Sequence, residues 1–575
     1  MCVHLSLSLC VRVCERACER ACVCVSVRVS VRACVAIACD FTVDCLYATQ
    51  ARANSGVGNR FIPCTLIHIY QYTHKCCSTS FFRAMIAING DHDANNGLHV
   101  ISGNGGSTNY RTMAVSGNLL LKKGQYASVF VYSNSDTSYN VHPESTFSCN
   151  RFSSNVGFRA DKTGNQKMSK ANVWQEVQGW RAWGEPGLYS LGGVKLTKTS
   201  RFTAPFEGVY FCGVQLRLDL IGTRTYSGYF RINLVLNGGK DTNNGFHAVD
   251  GNSASTNYRS MGVAGTIYLK KGNFISPWVY SYSDKSYSIH SESGWGCNLM
   301  GTRIGFHADY SASTTLKVGW SKLVKWRTDS KANAELYALG GGLDTTGVYA
   351  APQTGYYICT TQIRFDSAAS SSYFRVLLAL NEKIVVNKGL NAIGGNKGST
   401  SKRSLRIAGT IYLKKKTKVS LYTYSQKDNY YTINSESGWG CHMFSADLSK
   451  CPQLPCVQNT GFNADLVKSL GAKKGWKELN KFRTQGESAL FNDRQEFDTD
   501  TGRFTAKSDG YYLCATQVRL DGASRFGLGV GTGIRDHNLE LCFKTSNPCL
   551  YTYTHIYTHG LHACILSEQR YRCYI

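Results

Sequence analysis

At 575 residues the chain is too long for one compact domain and has room for roughly four of about 150 residues each. Its 56 glycines follow no Gly-X-Y triplet, which excludes collagen, and 43% hydrophobic against 18% charged residues excludes a wholly disordered chain. The 64 Lys+Arg against 38 Asp+Glu leave a net charge of +26 that favours acidic partners (sulfated glycans, anionic lipid head groups, mineral surfaces, nucleic acid) without choosing among them, and no apolar run is long enough for a membrane span.

The first segment, 1–79, is low in complexity. From Cys10 to Cys39 it uses little but Cys, Val, Arg, Ala, Ser and Glu, and twelve of the 24 cysteines precede residue 78. The alternation around Val23-Cys24-Val25-Ser26-Val27-Arg28-Val29 has the period of a strand, but it is also what a translated GT dinucleotide repeat produces. Leu5 to Leu9 is too short an apolar run before Arg12 to read as a secretion signal. The last segment, 527–575, carries a similar repeat, Tyr551-Thr552-Tyr553-Thr554-His555. Neither segment is expected to form a folded domain; the alternative for the first is a Cys-rich cross-linking arm.

Between them the chain repeats. Gly-Phe-x-Ala-Asp occurs at 157–161, 305–309 and 461–465, followed in register by Trp174, Trp320 and Trp476, then by Trp180, Trp326 and Phe482, then by Arg181, Arg327 and Arg483. Ser-Glu-Ser-Gly-Trp-Gly-Cys ends the unit at 291–297 and again at 435–441. A domain-sized repeat excludes a short-period solenoid. Two complete units span 155–301 and 304–446. A second-half fragment precedes them at 80–152, a first-half fragment follows at 461–526, and 447–460 is a Cys-containing linker. The fragments break at one point of the unit. Either they are remnants of two separate domains, which is the favoured reading, or they pair into a third that closes the chain on itself.

Within a unit, Phe230, Ile232, Leu234 and Leu236 alternate with Arg231, Asn233 and Val235, and Asn237-Gly238 marks a hairpin turn. The same strand recurs at Phe374, Val376, Leu378 and Leu380. Short strands separated by turns, with no long helical period, predict an all-β fold of tandem antiparallel jelly-roll sandwiches.

Arg201-Phe202-Thr203-Ala204-Pro205-Phe206-Glu207-Gly208-Val209-Tyr210-Phe211 resembles the signature of the complement C1q globular domain, within the tumour necrosis factor-like jelly-roll superfamily. Tyr349-Ala350-Ala351-Pro352 with Gly355-Tyr356-Tyr357, and Phe504-Thr505-Ala506 with Gly510-Tyr511-Tyr512, repeat it, the latter with Lys507 where proline is usual. The resemblance covers about 80–526. The chain departs from the family in lacking a collagen stalk and in carrying a Trp-rich stretch before the motif, which puts a role in the complement cascade in doubt. The family implies trimers packed through an aromatic face and recognition of extracellular proteins, glycans or microbial surfaces. The recurring Trp and Tyr are then an interface or a sugar-stacking platform, against a preferred reading as core packing. Because the strands concerned are neighbours in the family's fold, it also implies disulfides Cys212–Cys297 and Cys359–Cys441, against free buried thiols. Cys149 and Cys514 are what halving the unit would leave, and Cys451 and Cys456 form a candidate loop disulfide. Such cysteines favour a secreted, oxidising setting.

The ligand-binding candidates fall in the loops Asn243–Arg259 and Ser281–Trp295 and their repeats: Asn243, Asn244, Tyr258, Arg259, Glu292, Trp295, Glu436 and Trp439. Asp91, Asp93 and Asp241 offer oxygen to calcium, although the third unit has Glu382-Lys383-Ile384 there and a solvated turn is the preferred reading. No nucleophile, base and orienting group recur together, so an enzyme is the least expected class. The expected function is non-enzymatic recognition or adhesion through extracellular protein or glycan ligands, with self-association as trimers, no nucleic acid and no cofactor apart from the calcium candidates. The alternatives are a structural matrix or mucus adhesive and a tumour necrosis factor-like cytokine.

Overall fold

A computed structural model describes residues 81–521 apart from 93–96, 104–109, 135–137, 153, 155, 193, 195, 197–199, 221–228, 241–245, 252–257, 283–285, 330–335, 367–372, 385–389, 396–401, 447–459 and 487–489, together with 2–13, 23–34, 72–73, 539–544 and 551–556. It divides into two compact units, 78–528 and a smaller one of 1–77 with 529–575. In the smaller unit Cys2–Val13 pairs antiparallel with Val23–Cys34, so the alternating segment is a two-stranded ribbon, and Tyr72–Thr73, Tyr551–Ile556 and Leu539–Lys544 form a three-stranded sheet.

The larger unit contains three modules of one plan. In the second module Gly157–Lys162, Gly294–Leu299, Gly208–Leu220 and Tyr258–Leu269 pair in that order as one antiparallel sheet. Phe202–Thr203, Phe274–Ser281, Tyr229–Leu236 and His247–Gly251 pair in that order as the other. The third module repeats both orders, with Gly305–Tyr310, Gly438–Ala446, Gly355–Asp366 and Lys402–Leu413 in one sheet and Val348–Ala350, Lys418–Ile433, Tyr373–Leu380 and Asn391–Gly395 in the other. Strands distant in sequence thus lie side by side, and the chain crosses between the sheets as in a jelly roll.

The first module is built from both outer fragments. One sheet runs Gly461–Leu466, Thr146–Phe152, Gly510–Asp521, Tyr110–Leu121, and the other runs Arg503–Thr505, Tyr126–Ser133, Phe81–Ile88, Gly97–Gly103. In the first of these sheets, strands from the two ends of the repeat region alternate. Either fragment alone would leave those strands without neighbours and their backbone groups unpaired. The fragments share one core, in which Phe462 packs edge-on against Phe147 at 4.9 Å, as Phe158 packs on Trp295 at 4.6 Å and Phe306 on Trp439 at 4.7 Å. Separate remnants give way to one interleaved module, because the sheet order requires strands from both.

Local chemistry explains the repeated motifs. Glycine opens each Gly-Phe-x-Ala-Asp strand because a Cβ at Gly157, Gly305 or Gly461 would lie 2.7, 2.5 or 2.8 Å from the carbonyl oxygen of Cys297, Cys441 or Cys149. At the hairpin turn Asn237 and Gly238 take φ of 50° and 75°, and the Asn237 side chain accepts a hydrogen bond from Phe274 N. Behind each Gly-x-Tyr strand lies a cross-strand disulfide: Cys212–Cys297, Cys359–Cys441 and Cys149–Cys514. The third joins the two outer fragments. Cys451 and Cys456 lie outside the described residues.

Candidate functional site

The sequence candidates separate by depth. Trp295 and Trp439 are fully buried in their module cores, so neither can stack on a ligand, because each is already covered by its partner phenylalanine. Arg259 is also buried: its guanidinium covers the Phe230 ring at 5.3 Å and lies 3.8 Å from Asp250. The Tyr258 backbone pairs with Asp219. Asp91 is exposed and bridges by its backbone to Ile88. Asn243, Asn244, Asp93 and Asp241 lie outside the described residues. Among the described residues, no three His, Cys, Asp or Glu are grouped to hold a metal.

Glu292 and Glu436 are not surface ligands either, because each is enclosed at a junction between modules. Glu292 receives Arg217 of its own module together with two groups from the first module, Arg83 at 3.2 Å and His99 at 2.8 Å. Glu436 receives Arg364 of its own module and Arg231 of the second, with His247 Nδ1 at 3.1 Å. Glu144 receives Arg519 at 2.6 Å and Arg375 of the third module at 3.1 Å, and Asn391 takes the place of the histidine. One device is therefore used three times and returns to its start: first to second, second to third, third to first. The aspartate two residues on steadies each inner arginine, with Arg217 on Asp219, Arg364 on Asp366 and Arg519 on Asp521 at 2.8–3.0 Å.

Burial sets the protonation here. Burial pulls His247 down to about 3, outweighing Glu436, and Arg231 and Arg364 push the same way. Geometry agrees, since Arg231 Nε donates to His247 Nε2 at 2.8 Å and so requires a neutral ring with its proton on Nδ1, toward Glu436. His99 is likewise lowered by burial. Burial alone would raise Glu436, but His247, Arg231 and Arg364 together hold it at about 2. His99, Arg83 and Arg217 overcome burial in the same way and hold Glu292 well below the carboxylate range.

Inside the ring of junctions is a core shared by all three modules. Phe152 and Leu513 from the first, Val209 and Phe211 from the second, and Tyr356 and Ile358 from the third pack together. Hydrogen bonds cross at this level: Tyr337 donates to Thr266 Oγ1 at 2.6 Å, and Asn118 Nδ2 donates to Asn298 Oδ1, which also accepts from Tyr189 at 2.7 Å. Tyr337 also meets His442, which burial pulls down to about 4.

The outer sheets carry what is left for solvent. Trp174, Trp320 and Trp476 are half-buried and start matching aromatic tracks. Trp174 meets Tyr280 at 5.5 Å, Tyr280 meets Tyr229 at 6.2 Å, and Tyr229 stacks on Tyr282 at 4.9 Å. Trp320, Tyr424 and Tyr373 follow at 5.1 and 5.8 Å, and Trp476, Tyr132 and Phe81 at 4.9 and 5.9 Å. Each track ends beside a junction, where Lys402 of the third module covers Tyr229 at 4.5 Å and Arg375 and Arg83 cover Tyr373 and Phe81. The second landmark of each pair turns inward instead, as Trp180 Nε1 donates to Val177 O and Trp326 Nε1 to Leu323 O. Sequence reasoning missed the junction arginines, although Phe82-Arg83, Phe230-Arg231 and Phe374-Arg375 recur in step with Glu144, Glu292 and Glu436.

Three antiparallel sandwiches with this strand order fit a tumour necrosis factor and C1q-like fold. No family model and no curated protein matches the chain. Among solved structures it is similar to the Eiger TNF of S. frugiperda, at 14% identity over 26% of this chain and 99% of that one with a TM-score of 0.21, and to murine APRIL, at 15% identity over 25% and 98% with a TM-score of 0.19. No helix among the described residues is long and apolar enough to cross a membrane.

Proposed function

We propose that the protein is an extracellular, non-enzymatic recognition or adhesion protein of the C1q-like class, and that one chain supplies all three modules of the trimer its family assembles from separate chains. The observation that carries this reading is the closed ring of junctions, Arg83–Glu292, Arg231–Glu436 and Arg375–Glu144, around a shared apolar core. Trimeric surface is thereby used up within the chain, and a further copy is not needed to cover it. The disulfide in each module suits an oxidising compartment. The inward acids and bases serve packing, so the ligand surface is left to the three aromatic tracks and to the stretch of sequence from Asn243 to Tyr258. Three like surfaces on one chain raise avidity for a repetitive glycan or protein array well above the affinity of one.

The test has two parts. Native mass spectrometry of the full chain should give the single-copy mass, 63.5 kDa for the chain given. Binding to panels of immobilised glycans and extracellular proteins should saturate and survive about 0.5 M salt, where the Debye length is only a few Å. It should also weaken when Trp174, Trp320 and Trp476 are replaced together by alanine. Binding that disappears in salt for every ligand would leave a charge-driven matrix adhesive, the reading that the net charge of +26 favours.

A further inference from the structure

Position 114 of the first module, 262 of the second and 406 of the third are equivalent in the strands Tyr110–Leu121, Tyr258–Leu269 and Lys402–Leu413, and they are occupied by Ala, Gly and Arg. Arg406 is buried where the modules meet. Its Nη2 donates to the Ala114 carbonyl of the first module at 2.6 Å and lies 3.4 Å from Gln215 Oε1 of the second. The guanidinium fills the space left by Gly262, where a Cβ would lie 2.2 Å from Arg406 Nη1. Around it stand three equivalent buried glutamines, Gln215, Gln362 and Gln517. The Oε1 of Gln362 and both amide atoms of Gln517 have no hydrogen-bond partner. No ion pair to Arg406 occurs among the described residues, so its charge is held only by neutral oxygens, and burial lowers its pKa to about 10, still charged at neutral pH.

We propose that Arg406 is the residue that makes the three-module assembly specific, because the shared core accepts one arginine and no more. Three copies of the third module would bring three guanidinium groups into one buried space with no counter-charge, which like-charge repulsion and desolvation forbid. The third module therefore fits the first and second and rejects its own copies. A partner for its inner face must bring a small residue at the position of Ala114 or Gly262. This goes beyond the proposed binding role, since it concerns which modules may assemble whatever the ring binds.

The count of arginines, and not their position, should decide stability, and the full chain tests this. Ala114→Arg alone places two arginines in the core and should lower Tm by about 10 °C or prevent folding. The double variant Ala114→Arg/Arg406→Gly restores the count to one and leaves the relocated guanidinium the Cβ-free neighbour that Gly262 gives Arg406. By the three-fold relation it offers the relocated guanidinium the vacant Gln362 Oε1 and the residue 262 carbonyl, and it should recover most of the lost Tm and the soluble yield. Arg406→Met, which removes the charge but keeps the bulk, should melt near the wild-type Tm. A wild-type Tm for Ala114→Arg, or a double variant no better than Ala114→Arg alone, would overturn the proposal. Binding assays need not enter, so failure here and failure of the recognition role are separable.

Discussion

Glu436→Gln keeps the size of the side chain and one acceptor but removes the charge shared by Arg231 and Arg364. The carboxyl is held at about 2 against 4.5 in an unstructured chain, so the folded state favours the ionised form by about 3 kcal/mol. That agrees with the lower end of the roughly 3–5 kcal/mol lost when one partner of a buried pair is removed. The lower end is appropriate because Arg364 keeps Asp366 and Arg231 keeps His247 Nε2. Since the folded-state value lies below the unfolded one, this stability is fully present above pH 4.5 and is lost as pH falls from there through about 2. Chemical denaturation at fixed temperature should therefore separate wild type from E436Q by about 3 kcal/mol at pH 7, by about half that near pH 3, and hardly at all below pH 2. Glu382→Gln is the control, as its Lys322 pair is exposed, and it should not measurably shift the transition. A wild-type-like E436Q, or a gap that does not narrow in acid, would refute the junction as described.

Three further outcomes follow from the same geometry. His307 is buried at about 3 with neither ring nitrogen hydrogen-bonded, so its folded-state value is depressed and its contribution is lost as pH falls from 6.5 toward 3; between pH 7 and 5 this is about 2 kcal/mol. His307→Asn should remove that part of the acid slope in urea titrations, and superimposable slopes would count against it; Asp161, raised to about 6, and Glu496, raised to about 7, work in the opposite direction in both proteins. Trypsin cleavage after Lys450 should leave one band on a non-reducing gel and two on a reducing gel, because Cys149–Cys514 spans the cut; two bands without reductant would disprove the interleaved module. Gly305→Ala should cost about 1–3 kcal/mol in denaturant titrations, since its Cβ would meet the Cys441 carbonyl oxygen at 2.5 Å and the His442 Cα at 2.6 Å, both of them backbone atoms.

Local periodicity made the strands legible. The alternation at Phe230–Leu236, the Asn237-Gly238 turn and the repeat landmarks each report on a few neighbouring residues, and the structure places them where that local chemistry requires. The candidate site was less legible because burial depends on residues far away in sequence. Trp295 and Glu292 share one motif and look alike as conspicuous residues, yet Phe158 covers the first and Arg83 with His99 claims the second. The sequence presents an acid, and only assembly decides whether solvent or two arginines will hold it.

The outer fragments show why closure was the hardest part to read. A half-unit at each end looks the same in sequence whether the missing halves lie elsewhere or the two ends complete each other. What separates the cases is strand order: Gly461–Leu466, Thr146–Phe152, Gly510–Asp521 and Tyr110–Leu121 alternate between the fragments, so each supplies the hydrogen-bonding edge that the other lacks. The cut also falls between the strand carrying Arg519 and the one carrying Arg83, so Glu144 comes with one fragment and its inner arginine with the other, and the ring is incomplete until both arrive. Closure of the first module and closure of the ring are therefore one event. A substitution that opens the pairing of Thr146–Phe152 with Gly510–Asp521 should loosen the Glu144 junction with the third module, although no contact of that module is altered directly.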